Sequence, residues 1–246
     1  MSTAAPTAAA SRRATRLRDG LVVVLALTTG AVNAVAFLRL GKVFASVMTG
    51  NLALFGVAAA QRDGEFAISG GLAIAGYGLG VLAGAALARA PQEGQPTWPR
   101  RVTVTLALEL VVLAGFSGGW LAVAGRPSGG GQMVLLVVVS AAMGLQATAV
   151  RRLGQMSSTY LTSTLTSLFE ALSARRLPPS WPRSSGTVCA LVAGAVGGGV
   201  AAVQAPAAVP AAVMVPLAVV LALSPRFAPI RCPGHRRRCR SSSGRR

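Results

Sequence analysis

Residues 102–124 read VTVTLALELVVLAGFSGGWLAVA, twenty-three positions with a single charged side chain, Glu109. As a helix rising 1.5 Å per residue this stretch is about 34 Å long, enough to cross a hydrocarbon core of about 30 Å. A soluble core needs no uninterrupted apolar run of that length. Five further blocks have the same character: Leu21–Leu38, Ile68–Ala88, Met133–Val150, Gly186–Val203 and Ala207–Leu223. Between them stand typical breakers, among them Pro91-Gln92-Glu93-Gly94-Gln95-Pro96, Arg126-Pro127-Ser128-Gly129 and Leu177-Pro178-Pro179-Ser180. Pro210 and Pro216 inside the last block predict a kinked helix, which membrane bundles tolerate.

Composition agrees. The chain has 246 residues, 52% hydrophobic and only 12% charged, where soluble domains carry roughly 25% charged residues. The fold class expected is an all-α polytopic bundle of about six spans plus two short segments, Val43–Ala60 and Met156–Ser173, that either cross or re-enter. The net charge of +18 does not make a nucleic-acid binder, because eight of the 24 basic residues lie in positions 226–246 and the others fall mostly between apolar blocks. Residues 1–20 and 226–246 read as disordered basic extensions flanking a transmembrane domain at 21–225. Ala34-Val35-Ala36 imitates a signal-peptidase site, but more membrane sequence follows it, so the first block is expected to remain a span. Cys189 lies in an apolar block while Cys232 and Cys239 lie in the tail, so no disulfide framework is indicated.

The sequence matches itself at an offset of about 114 residues. Gly30 falls on Gly144, and Gly76, Gly80 and Gly84 fall on Ala190, Gly194 and Gly198. With a one-residue gap, Thr49-Gly50-Asn51-Leu52 falls on Thr162-Ser163-Thr164-Leu165. The halves implied are about 21–124 and 132–223. Gly/Ala-rich membrane sequences also align by chance; the common order of three features favours duplication. The small-xxx-small stripes would let helices approach closely where lipid supplies no hydrophobic drive.

Arginines set the topology expected. If both short blocks lie on one face, six spans remain. The internal loops then place Arg89, Arg100, Arg101, Arg151, Arg152, Arg175, Arg176 and Arg183 inside, against Arg39, Lys42, Arg62 and Arg126 outside. That follows the positive-inside bias and puts both termini in the cytoplasm of a cell-membrane protein. Eight spans would invert the bias.

Two polar signatures stand before nine-residue apolar runs: Thr49, Gly50 and Asn51 before Leu52–Ala60, and Thr162, Ser163 and Thr164 before Leu165–Ser173. Each run is about 13.5 Å long as a helix, half a hydrocarbon core. Thr49 or Asn51 suits an N-cap, and Gly50 suits a tight turn. Opposed half-helix N-termini near the midplane would favour an anion or the lone pairs of a small polar solute. The same residues also fit ordinary short spans whose hydroxyls and amides bond neighbouring helices.

The run Phe44-Ala45-Ser46-Val47-Met48-Thr49-Gly50-Asn51-Leu52, with Gly144-Leu145-Gln146 and Thr159-Tyr160-Leu161-Thr162, resembles the YoaK-like family of uncharacterised multi-pass membrane proteins, over about residues 20–225. The resemblance implies a membrane location and no established activity. The chain departs from that pattern at Ala147, where the family has Asn, and at Ser163, where it has Gly.

Other polar positions complete the candidate solute-binding set. Glu109 is an intramembrane carboxyl, read either as a proton or cation site or as an acid bonded to a neighbouring helix. Asn33 and Gln146 occupy corresponding blocks and would line one cavity or bond adjacent helices. Cys232, His235 and Cys239 have a loosely metal-like spacing inside a basic tail, so neither metal nor cofactor is expected. The only histidine is His235 and both aspartates, Asp19 and Asp63, lie outside the blocks, so an enzyme is not expected. The expected partners are the lipid bilayer and a small polar or anionic solute, with homo-oligomerisation left open.

Overall fold

A computed structural model describes residues 8–87, 98–153, 161–174 and 181–224, with the side chains of residues 8–14 and 161–163 set aside. The described residues form an all-α bundle: α1 (Ala8–Arg39), α2 (Met48–Gln61), α3 (Gly64–Leu87), α4 (Arg100–Ala122), α5 (Gly129–Arg152), α6 (Leu161–Ser173), α7 (Trp181–Gln204) and α8 (Val209–Leu223). Six helical segments are long and apolar enough to cross a membrane, the last being α8 together with the 3-10 turn Pro206–Ala208 that leads into it; α2 and α6 are not among them. The segment expected as a disordered leader is helical from Ala8 onward, as its alanines and arginines favour. The tail at 226–246 lies outside the described residues. Pro210 sits in the first turn of α8, where no intrahelical N–H is needed, so only Pro216 interrupts the ladder.

Close approaches fix the helix directions. α1 and α7 run parallel: a Cβ on Gly194 would strike the Leu27 carbonyl oxygen, one on Gly198 would lie 2.6 Å from the Ala31 oxygen, and Arg39 reaches the Ala202 carbonyl. α3 and α5 run parallel in the same manner, with Gly76 against Val137, Gly80 against Ala141 and Gly84 against Thr148. α1 and α5 are antiparallel, since Arg18 meets Leu153 while Thr29 meets Gln146. α4 and α8 are antiparallel too, since Trp120 donates to the Pro206 carbonyl and Ser117 lies against Met214.

Parity then settles the short helices. α1 and α3 point in opposite directions, so the chain leaves α1 and enters α3 at the same end of the bundle, and α2 begins and ends its excursion there. The same holds for α6 between α5 and α7. An eight-crossing path would make α1 parallel to α5 and α4 parallel to α8, the reverse of what the hydrogen bonds require.

Both ends are tied down by arginine. At one end Arg18 pairs with Asp19 at 3.2 Å, and Arg183 of α7 approaches Asp19 at 3.7 Å. At the other, Arg39 donates from Nε and Nη2 to the Ala202 oxygen at 3.1 and 2.8 Å. That carbonyl would be served by the amide of residue 206 in a continuing helix, but residue 206 is proline and has no N–H. Arg39 supplies the missing donor. Trp120, fully buried, donates to the Pro206 carbonyl at 2.8 Å beside it.

Candidate functional site

The first polar signature is built around the loop between α1 and α2. Gly41 and Lys42 both take left-handed backbone angles, φ 111° and 58°, which turns the chain back toward the bundle. A side chain on Gly41 would come within 2.8 Å of the Ser69 hydroxyl of α3. Two asparagines then hold the loop. Asn33 of α1 accepts from the Ser46 amide at 3.0 Å and donates to its hydroxyl at 2.7 Å. Asn51 accepts from the Phe44 amide at 2.8 Å and donates to the Phe44 carbonyl at 2.5 Å. Both asparagines are buried.

This arrangement corrects the capping expected from the sequence. α2 starts at Met48 with Val47 at the N-cap position and no side-chain cap, so Thr49, Gly50 and Asn51 lie inside the first turn. Asn51 has a stronger demand than the helix end: Phe44 presents an amide and a carbonyl that no strand or helix satisfies, and leaving either bare inside the bundle costs about 1–3 kcal/mol. Gly50 packs against Val47 and Phe44, while Thr49 is exposed. The loop meets α1 at Asn33, six residues before Arg39, about 9 Å in from that end of the helix at 1.5 Å per residue. It enters the bundle but stays nearer the end than the middle. The apolar run beyond it, including Leu52, Phe55 and Val57, is exposed on the outside of the bundle.

The second signature differs. Thr162, Ser163 and Thr164 lie within α6 instead of preceding it. The side chains of Thr162 and Ser163 lie outside the described residues, and Thr164 is half-buried.

Deeper in the bundle, Asn33 and Gln146 make separate hydrogen bonds. Gln146 is one turn closer to the α1 start, where its Oε1 accepts from the Thr29 hydroxyl at 2.8 Å and its Nε2 donates to the Leu25 carbonyl at 3.3 Å. Thr29 and Asn33 share one stripe of α1 at i, i+4 spacing, a signal that the sequence itself carries. Ser46 stands in the motif that carries the family resemblance, but its role comes from the fold of the loop.

Glu109 stands apart. It is fully buried, and neither carboxyl oxygen has a hydrogen-bond partner among the described residues. The Thr28 and Ser140 hydroxyls, buried on α1 and α5, are likewise unpartnered. Glu109 shares its face of α4 with Val102, Thr105, Leu106, Leu113, Phe116, Ser117 and Trp120, all buried. α4 packs chiefly on α5 and α8, and α1 packs on both of those helices, so the four close a ring. The buried face of α4 is turned into it.

Six apolar helices, a re-entering loop pinned by two asparagines and an acid enclosed by four spans define a multi-pass α-helical membrane protein in contact with the lipid bilayer. The chain belongs to the family described as protein of unknown function DUF1275, which it matches over residues 21–223. It is 35% identical over 160 residues to the UPF0700 transmembrane protein YoaK of Bacillus subtilis (strain 168), covering 64% of this chain and 68% of that one. No solved structure matches.

Proposed function

We propose that the chain is a transporter or channel for a small polar or anionic solute, built as an inverted duplication and set in the cell membrane with both termini in the cytoplasm. The observation that carries this reading is the equivalence of the two glycine crossings. A Cβ on Gly30 would meet the Leu191 oxygen and the Ala195 nitrogen; one on Gly144 would meet the Tyr77 oxygen and the Val81 nitrogen. Each of the three residues in one crossing lies 114 positions from its counterpart in the other. Gly80 against the Ala141 oxygen and Gly194 against the Leu27 oxygen obey the same offset. Each of α1, α3 and α4 is antiparallel to its counterpart α5, α7 or α8, which is the relation of inverted repeats in secondary transporters.

The orientation rests on charge. Arg16, Arg18, Arg100, Arg101, Arg151, Arg152 and Arg183 stand at the end where α1 starts, against Arg39, Lys42, Arg62 and Arg126 at the other. The positive-inside bias assigns the first set to the cytoplasm.

A second reading, a non-transporting scaffold or regulator, is favoured by the internal use of Asn33, Asn51 and Gln146, whose amides are spent on the fold. Flux separates the two. Proteoliposomes of the purified chain, challenged with glycerol, urea, chloride, nitrate and acetate, are expected to pass at least one of these faster than protein-free vesicles. No flux above background for any of them, together with a stable protein partner on co-purification, would favour the scaffold.

A further inference from the structure

Glu109 is the only Asp, Glu, Lys or Arg within the apolar blocks of the six spans. The segments around it are equally free of charge: α1 from Gly20 to Leu38, α3 from Phe66 to Leu87, α5 from Gly129 to Val150 and α8 from Val209 to Leu223 carry no charged side chain, and the only other charges on α4 are Arg100 and Arg101 at its start. It lies 13 residues from the end of α4, about 20 Å along a helix of about 34 Å, close to mid-depth. Thr28 is 11 residues from the same end of α1, so its unpartnered hydroxyl is at a similar level. Side chains lean toward the N-terminus of their own helix. Because α4 and α5 are antiparallel, Glu109 and Gln146 therefore lean toward one another's level from opposite directions.

No cationic side chain stands there to pair a carboxylate. A metal cation would need several oxygen ligands, whereas a proton needs one. Nor does packing account for the residue, since a buried acid without partners is a poorer core group than an apolar side chain of similar volume. We propose that Glu109 is the proton-binding site of the bundle, taking a proton from water on one face and releasing it to water on the other as the two halves alternate. In the first step the carboxylate gains a proton from hydronium, leaving water and the neutral acid; the second step is its reverse on the opposite side. The proposal rests on the transport reading and adds to it the coupling ion.

Dicyclohexylcarbodiimide reaches intramembrane carboxyls from lipid and reacts with the protonated acid, not the carboxylate. Full-length protein in proteoliposomes, labelled at pH values set separately inside and outside and read by mass spectrometry, is expected to be modified at Glu109. The yield should fall about tenfold per pH unit above the midpoint of titration, and should respond to the pH of each compartment. Absence of label, or a yield constant from about pH 5 to about pH 10, well past the range of an ordinary carboxyl, would overturn the proposal by showing no proton or a fixed one. Glu109→Gln should lose the label with its melting temperature unchanged; unfolding of this neutral isostere would also count against an unpaired acid. A titrating label without flux of any tested solute would remove the transport reading alone, and flux without a titrating label would remove the proton site alone.

Discussion

Replacing Gly80 or Gly194 with leucine should lower the melting temperature of the detergent-solubilised protein by about 2–12 °C, the shift that an overpacking cost of about 1–3 kcal/mol produces in a chain of this size. The two positions are where helices touch backbone to backbone. At Gly80 even a Cβ would overlap the Ala141 carbonyl oxygen, and at Gly194 the Leu27 carbonyl oxygen. Neither obstacle is the end of a flexible side chain, so relief requires a whole helix to move. In lipid that separation has no hydrophobic compensation, since the apolar surfaces gained and lost are equally solvated by acyl chains. Gly71, Gly78 and Gly197 provide the contrast: each has open space where a Cβ would go. Leucine at those positions should leave the melting temperature within about 2 °C, as surface substitutions do. Equal losses at both sets would mean that helix propensity or detergent binding governs the response and not the crossings.

Asn51→Ala is the second large effect expected. The substitution strips both hydrogen bonds from Phe44 and leaves its amide and carbonyl facing apolar surroundings. At about 1–3 kcal/mol for each buried unsatisfied group, the loop between α1 and α2 should open at least about tenfold more often. Lys42, exposed on that loop, reports the opening through the rate of tryptic cleavage after it. Asn51→Asp should not rescue the loop. It keeps the acceptor for the Phe44 amide but sets a second oxygen against the Phe44 carbonyl. A cleavage rate unchanged in both variants would show that the loop is held by something other than this clamp.

Much of the architecture was legible before any coordinates because a bilayer imposes long-range order on composition: blocks such as Val102–Ala124 must be helices, and their length fixes that they cross. Gly80 and Gly194 were legible as close approaches for a related reason, since glycine at four-residue spacing in a span has little other structural use; the approaches at Gly30 and Gly144 come from the structure alone. What the short segments do with their polar residues was not legible. Thr49-Gly50-Asn51 has the chemistry of a cap, and capping is a local property that sequence can suggest. The competing demand came from Phe44, seven residues earlier, whose bare backbone exists only once Gly41 and Lys42 have turned the chain inward. For Asn33 and Gln146 the sequence offers either a shared cavity or bonds to adjacent helices. Gln146 makes the second kind of contact, to Thr29 across the helix crossing, while Asn33 answers to Ser46, a partner set by loop conformation. Glu109 was visible as an intramembrane acid; that it has no partner among the described residues follows from which face of α4 turns into the ring.

The six-crossing path with α2 and α6 returning to the faces they left is tested most directly by single cysteines at Lys42, Gln61, Arg151 and Arg183, in a background without Cys189, Cys232 and Cys239, labelled with an impermeant maleimide in intact cells and in inverted vesicles. Lys42 and Gln61 flank the loop and helix of the first half, and Arg151 and Arg183 flank those of the second. The expected result is that the first two positions label together from one face and the last two together from the other. Labelling of Lys42 and Gln61 from opposite faces would make α2 a true crossing and would contradict both the helix directions and the inverted duplication drawn from them.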